Sequence, residues 1–312
     1  MNADAVVFEE PGRLEVRRVA LRDPGPGDVV VRTLWSGVST GTERLLWTGR
    51  MPPFPGLGYP LIPGYEAVGT VVVAGSDSGF TGGERVFVPG TTAWEGVRGL
   101  FGATGSDLVV EGTRCLRLPD EVEEDGSLMA LAATAYHALA LADRPPELIV
   151  GHGALGRLLA RLTVSAGQEP PTVWEKNPVR QGGARGSGGV DASDDGRHDY
   201  GCIVDVSGDV GLLDTLVERS ARGGEIVLAG FYDERVSFEF PPAFIKEVTL
   251  RIAAEWSPPD LAAVGGLILD GSLELDGLVT HRVPVQRAAD AYRIAFEDPD
   301  CVKMTLDWSS TA

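Results

Sequence analysis

The chain has 312 residues, room for two domains at about 100–200 residues each, and its 43 % apolar content is enough for two ordinary cores. A formal net charge of −18 argues against nucleic acid or an anionic membrane surface as partner, because both need a basic face; it reads first as solubility. Cys115, Cys202 and Cys301 lie far apart with no CxxC pair, which argues against a zinc ribbon or a disulfide scaffold and for a reducing cytoplasm.

The first residues carry neither a basic segment nor a long apolar run, so no signal peptide is expected. Nor is there an apolar stretch of about 20 residues to span a membrane. Short β-rich runs follow at Ala3–Phe8, Leu14–Val19 and Val29–Leu34, separated by Pro11-Gly12 and by Asp23-Pro24-Gly25-Pro26-Gly27. Ala67–Val73, Glu84–Val88 and Ser106–Val110 continue the pattern. Many short strands with Gly/Pro turns predict a small barrel or sandwich.

The character changes near Asp125. Ser127–Leu141 is rich in Ala and Leu at helical spacing. Leu148-Ile149-Val150 is a short apolar strand, and Leu155–Ala166 a helix with Leu155, Leu158, Leu159 and Leu162 on one face. Thr172-Val173-Trp174, Cys202–Val206, Glu225–Ala229 and Thr249–Ala253 read as further strands, with helices at Gly211–Ala221 and Asp260–Asp270. This alternation predicts an α/β, doubly wound parallel sheet. Arg180–Asp199, full of Gly, Ser and Asp, reads as a mobile connection where a βα unit would normally sit. The tail has β-like Val279–Val283, a helix at Ala288–Phe296 and a strand at Val302–Leu306. The expected domains are residues 1–122, 123–278 and a return segment 279–312.

Between the Leu148–Val150 strand and the following helix lies Gly151-His152-Gly153-Ala154-Leu155-Gly156, a G-x-G-x-x-G loop in the context that dinucleotide binding requires. Gly151 would permit the tight turn, Gly153 the approach of backbone to a pyrophosphate, and Gly156 the close packing of helix on sheet. The helix N-terminus adds free N–H groups and a partial positive charge. Such a loop alone is weak evidence, but Glu175 ends the next strand nineteen residues after the last glycine. A carboxylate there can accept from ribose hydroxyls and repel a 2′-phosphate, which favours NAD over NADP. Lys176 and Arg180 nearby pull the other way. Ser207 and Gly230, at later strand ends, are candidate cofactor-lining residues or ordinary turn residues; Asp205 reads as structural. His152 is expected to point outward. A glycine-rich turn with no ligand is the alternative reading.

The motifs Ser36-Gly37-Val38-Ser39-Thr40-Gly41-Thr42-Glu43, Ile62-Pro63-Gly64-Tyr65-Glu66-Ala67-Val68-Gly69 and Ala132-Ala133-Thr134-Ala135-Tyr136-His137-Ala138-Leu139 resemble those of the medium-chain dehydrogenase/reductase family. The resemblance covers nearly the whole chain. It implies a GroES-like β-barrel domain, a Rossmann domain, a tail that packs back on the barrel, Thr134 near the nicotinamide end, and a homodimer as the family's habit. In zinc-dependent members the first motif supplies a Cys ligand and the second a His ligand. Here Ser39 and Tyr65 stand at the matching positions, and a hydroxyl and a phenol are poor zinc ligands. The resemblance is therefore to a zinc-independent branch. Longer strings, Ser39–Trp47, Met51–Gly56, Leu148–Gly153 and Phe240–Phe244, resemble members that oxidise a hydroxyethyl group on a tetrapyrrole. That substrate is implied by the resemblance alone.

Oxidising an alcohol without a metal leaves a side chain or relay to take the proton, help worth about 10²–10⁴-fold. Tyr65 could donate to or accept from the substrate oxygen, Ser39 and Thr42 could relay, and Glu66 or Glu43 could be the final acceptor. Alternatively Tyr65 and Ser39 simply fill the vacated metal site, and Glu43 pairs with Arg44 or a neighbouring chain. His137 reads as a packed or capping histidine. A flat substrate would need an apolar aromatic cleft, and Trp47, Phe54, Tyr59, Trp94, Phe101 and Trp256 fall near predicted loops. Two other functions stay open: a zinc-free NAD(P)H quinone or enone reductase, and a non-catalytic NAD-binding sensor.

Overall fold

The computed structural model describes residues 1–182 and 188–309. The chain divides into two compact units, one of Met1–Ala130 with Asp276–Ala312, the other of Leu131–Leu275. The division falls inside the helix Met129–Leu141.

The first unit is mostly β. Its longest strand, Asp28–Val38, is the hub of a seven-stranded sheet. Its first half pairs with Asp107–Glu111 and its second half with Met304–Asp307, while Ala67–Ala74 runs along the other edge. Register shifts between Val30 and Val31 and between Thr33 and Trp35 bend it, as bulges do. A second sheet of four strands is built on Asn2–Glu10 and Arg13–Ala20. Val, Leu and Ala side chains from Ala3, Val29, Val31, Val86, Leu108 and their neighbours fill the interior. The tail returns to this unit: Met304–Asp307 lies between His281–Pro284 and Asp28–Val38, and the helix Ala288–Glu297 buries Tyr292 against Phe8 and Leu46.

The second unit is a six-stranded parallel sheet. Its order is Gly189–Val190, Thr172–Trp174, Leu148–Val150, Tyr200–Asp205, Ser220–Leu228, Thr249–Ile252. Leu148–Val150 and Tyr200–Asp205 are buried throughout, which explains their unbroken apolar runs. The strand order reverses beside Leu148–Val150, the switch point where such sheets bind ligands outside their carboxyl ends.

Several elements differ from the sequence pattern. The predicted helix at Gly211–Ala221 is a 3₁₀ turn, Val210–Leu212, followed by a short helix, Leu213–Arg219, and Ala221 already belongs to the next strand. The stretch expected to lack structure holds the short helix Pro178–Gln181 and the strand Gly189–Val190; residues 183–187 of that stretch lie outside the described residues. Asp195 ties it down, accepting from the Trp174 indole at 2.7 Å and the Tyr200 hydroxyl at 2.6 Å. Among the described residues no helix is long and apolar enough to cross a membrane.

Candidate functional site

In the second unit the glycine loop leaves Leu148–Val150 and enters the helix Ala154–Ser165, whose N-cap is Gly153 with no side-chain cap. The first-turn amides therefore meet no capping side chain, the arrangement that binds anions. Gly151 has φ 103°, open to glycine and strained for others. A Cβ on Gly153 would stand in open space, whereas one on Gly156 would lie 1.9 Å from the Gly151 carbonyl oxygen. Gly156 is thus required by the loop's own backbone, more directly than by helix-on-sheet packing. The loops at Ser207 and Gly230 sit at the same sheet edge. A Cβ on Gly151 would be 3.3 Å from the Ser207 amide, and one on Gly230 would be 3.0 Å from the Gly208 amide.

Glu175 follows the strand Thr172–Trp174 and its carboxylate reaches back to the loop. It accepts from the His152 amide at 3.1 Å and the Asn177 amide at 2.8 Å. Lys176 extends into solvent, 3.8 Å from Asp209, and Thr134 is half-buried on its helix. His152 does not point outward: it is fully buried, and its Nδ1 donates to the Arg180 carbonyl at 2.6 Å. Burial, helped by the nearby Arg157 charge, lowers its pKa. Its role is to lock the loop, in concert with a residue that no sequence pattern singled out. Buried Arg157 donates to the carbonyls of His152 at 3.0 Å, Arg180 at 3.1 Å and Gly182 at 3.0 Å.

In the first unit, the turn after Asp28–Val38 and the turn before Ala67–Ala74 bring Ser39, Thr42, Glu43, Tyr65 and Glu66 together. The Ser39 hydroxyl accepts from the Thr42 amide at 3.2 Å, and the Tyr65 hydroxyl shares hydrogen bonds with the Ser39 and Thr42 side chains. Burial, reinforced by the charge of Glu66, holds the Tyr65 phenol well above its ordinary pKa, so it stays protonated. Its ring stands edge-on to Phe101 at 5.6 Å, and Phe101 in turn packs on half-exposed Phe54 at 6.3 Å.

The two carboxylates play different parts from the hydroxyls. Glu43, 1 % exposed, does not pair with Arg44. It accepts from the Ser39 amide at 2.8 Å and from the Tyr292 hydroxyl at 2.7 Å. Burial pushes its pKa up to about 7 against these two stabilising donors. Glu66, also 1 % exposed, is ion-paired to buried Lys303. Gly37 makes room for that lysine, because a Cβ there would come within 2.8 Å of its Nζ.

Trp94 is a core residue whose indole donates to the Gly102 carbonyl at 2.9 Å; Tyr59 donates to the Leu46 carbonyl, and Trp47 packs on Phe8 at 5.5 Å. Of the six candidate aromatics, Phe54 and Phe101 are the two that join the Tyr65 ring. Trp256 is half-buried in the second unit. His137 pairs with Asp260 at 3.0 Å, beside the capping box that Asp260 makes with Ser257.

The donor set around Ser39 does not fit zinc. A serine hydroxyl already engaged, a protonated phenol and a carboxylate neutralised by lysine offer none of the thiolate or imidazole ligands the metal prefers. The glycine loop does fit a dinucleotide: open space over Gly153, an uncapped helix start and Glu175 together form a cradle for pyrophosphate and ribose.

Residues 25–120 match the family model of the alcohol dehydrogenase GroES-like domain. A 2-desacetyl-2-hydroxyethyl bacteriochlorophyllide A dehydrogenase of Rhodobacter capsulatus is 56 % identical over 310 residues, covering 99 % of both chains. This chain belongs to the medium-chain dehydrogenase/reductase family. As a member of that family it is an oxidoreductase that uses a nicotinamide cofactor. Solved structures of similar fold include an alcohol dehydrogenase from Escherichia coli CFT073 complexed with cofactor NADH, with TM-score 0.84, 20 % identity, and 98 % of this chain and 99 % of that one covered. A dehydrogenase from Sinorhizobium meliloti 1021 bound to NADP has TM-score 0.82 at 20 % identity, with the same coverage of each chain.

Proposed function

We propose that this chain oxidises the 1-hydroxyethyl group of a bacteriochlorophyllide to an acetyl group with NAD as acceptor and without catalytic zinc. The observation that carries the reading is the match, along essentially its full length, to the Rhodobacter capsulatus enzyme. The loop Gly151–Gly156 and the helix start at Ala154 and Leu155 would hold the pyrophosphate, with Ser207 and Gly230 alongside. Glu175 would accept from the ribose hydroxyls and disfavour a 2′-phosphate, which supports NAD rather than NADP; Lys176, turned to solvent, offers little against it. When bound, the nicotinamide supplies a hydride acceptor.

The chain's own residues handle the proton. Tyr65, held protonated, accepts from the alcohol O–H while its own hydroxyl donates to Ser39 or Thr42. As the alcohol O–H proton leaves, Tyr65 takes it and passes its own to Ser39 or Thr42, and from there to water beside exposed Gly41. The acetyl oxygen then keeps the Tyr65 hydrogen bond. The Phe54 and Phe101 rings supply apolar surface for a flat macrocycle.

Two copies of the chain pair in this reading. The strand Thr249–Ile252 ends the parallel sheet with an open backbone edge, and Ile252 on it, with Phe240, Phe244 and Ile245 nearby, is two-thirds exposed. Among the described residues Cys115, Cys202 and Cys301 form no disulfide, which suits a cytoplasmic location.

The test is to mix the purified protein with NAD and hydroxyethyl bacteriochlorophyllide a. NADH fluorescence should rise in step with the absorption shift of the acetyl product, and prior dialysis against a chelator should not slow it. Strong NADPH-driven reduction of quinones or enones with no alcohol oxidation would overturn the proposal, as would a chelator-sensitive rate.

A further inference from the structure

The hydroxyls of Ser39, Thr42 and Tyr65 are useful only if the turn that carries two of them is held still. That turn, residues 39–42, is closed on itself by the Thr42 amide donating to the Ser39 hydroxyl at 3.2 Å. What fixes it from below is Glu43. One carboxylate oxygen takes the Ser39 amide at 2.8 Å, the other the Tyr292 hydroxyl at 2.7 Å. Tyr292 sits on Ala288–Glu297, a helix of the tail some 250 residues further along the chain. Its ring is wedged edge-on against Phe8 at 5.1 Å and Phe296 at 5.8 Å, so its hydroxyl has little freedom to follow a moving turn. Both Glu43 and Tyr292 are out of solvent.

We propose that Glu43 is a positioning residue: bridged to Tyr292, its ionised carboxylate clamps the 39–42 turn so that Ser39 and Thr42 stay under the Tyr65 hydroxyl. The proposal rests on the catalytic reading above. Both contacts of the carboxylate, an amide N–H and a phenol O–H, are donors, and a carboxylate is an acceptor only. Once protonated, Glu43 gains a donor and its protonated oxygen becomes the poorer acceptor, so the contact on that oxygen loosens unless the Tyr292 hydroxyl turns to accept. The titratable and charged groups that face Glu43 from the surrounding elements are Tyr292, Tyr65, Lys303 and Glu66. Lys303 favours the ionised form and Glu66 opposes it, so the clamp is poised between its two states. Glu43 itself touches no reacting atom.

Two variants test this. Glu43→Gln keeps the size but adds a donor; Tyr292→Phe keeps the ring and removes one. Each should lower kcat by about tenfold or more, with KM changed much less, the pattern of a misplaced group near the chemistry. The acidic limb of the kcat profile should flatten in Glu43→Gln and move to higher pH in Tyr292→Phe. An independent readout is infrared titration of NAD-loaded protein. A protonated-carboxyl band should vanish in Glu43→Gln and persist to higher pH in Tyr292→Phe. Variants that melt earlier yet keep the wild-type pH profile and band would overturn the proposal. Wild-type protein inert toward the bacteriochlorophyllide would overturn the substrate reading instead, and the infrared titration would still decide the clamp.

Discussion

In the proposed mechanism Tyr65 is the residue on which the chemistry turns. Its phenol is bonded to Ser39 and Thr42 and kept protonated by burial. Tyr65→Phe should preserve the edge-on packing against Phe101 and lower kcat by about 10²-fold or more, measured as NADH formation with the folded variant checked by thermal melting. Glu43 makes a second prediction at this scale. Its folded carboxyl holds a proton up to about pH 7, whereas an ordinary one loses it near 4.5. Between these values the native state binds more protons than the unfolded chain, so stability should fall as pH rises, by up to about 3 kcal/mol. Urea midpoints compared at about pH 5 and pH 8 should show this fall, and Glu43→Gln should remove Glu43's share of it. Glu66 behaves differently because Lys303 balances its charge: breaking that pair from one side would strand a buried ion, a loss of about 3–5 kcal/mol.

At the scale of elements, the glycine loop and the sheet edge carry the predictions. Gly156→Ala would place a methyl 1.9 Å from the Gly151 carbonyl oxygen, so the loop must shift. Expected are a loss of about 1–3 kcal/mol in stability and a weakened NAD affinity, read by urea unfolding and titration calorimetry. Ile252→Lys puts a charge on the open edge strand. Sedimentation should show a shift from dimer toward monomer; an unchanged dimer would place the interface elsewhere. The long strands, the nucleotide helix and the glycine loop were legible in the sequence because each is set by local periodicity or by glycine at a strained turn. The short helices Thr42–Thr48 and Phe240–Lys246 were not. With two turns or fewer they offer no periodic pattern, and their stability comes from packing and not from propensity. His152 was misplaced for a related reason: a loop position does not announce which side of the backbone its side chain takes, and Arg157 and the Arg180 carbonyl decide it here.

For the whole molecule, the consequence of the chain's path is that the first unit is discontinuous. Residues 304–307 form an interior strand between His281–Pro284 and Asp28–Val38, and the same tail supplies Lys303, Tyr292 and Trp308, whose indole donates to the Ser36 hydroxyl at 2.8 Å. A chain truncated after Cys301 should therefore fail to fold its first unit and accumulate as aggregate, judged by soluble yield and loss of near-UV dichroism. Residue type at short spacing was enough to read the α/β alternation and the G-x-G-x-x-G loop with Glu175 nineteen residues on; Ser39 and Tyr65 as stand-ins for zinc ligands came from the family resemblance. Folding is what gives Glu43 and Glu66 their distant partners: the Tyr292 hydroxyl and the Lys303 ammonium lie more than two hundred residues away in the chain. A buried charge is defined by what folding brings beside it, and no local pattern encodes that.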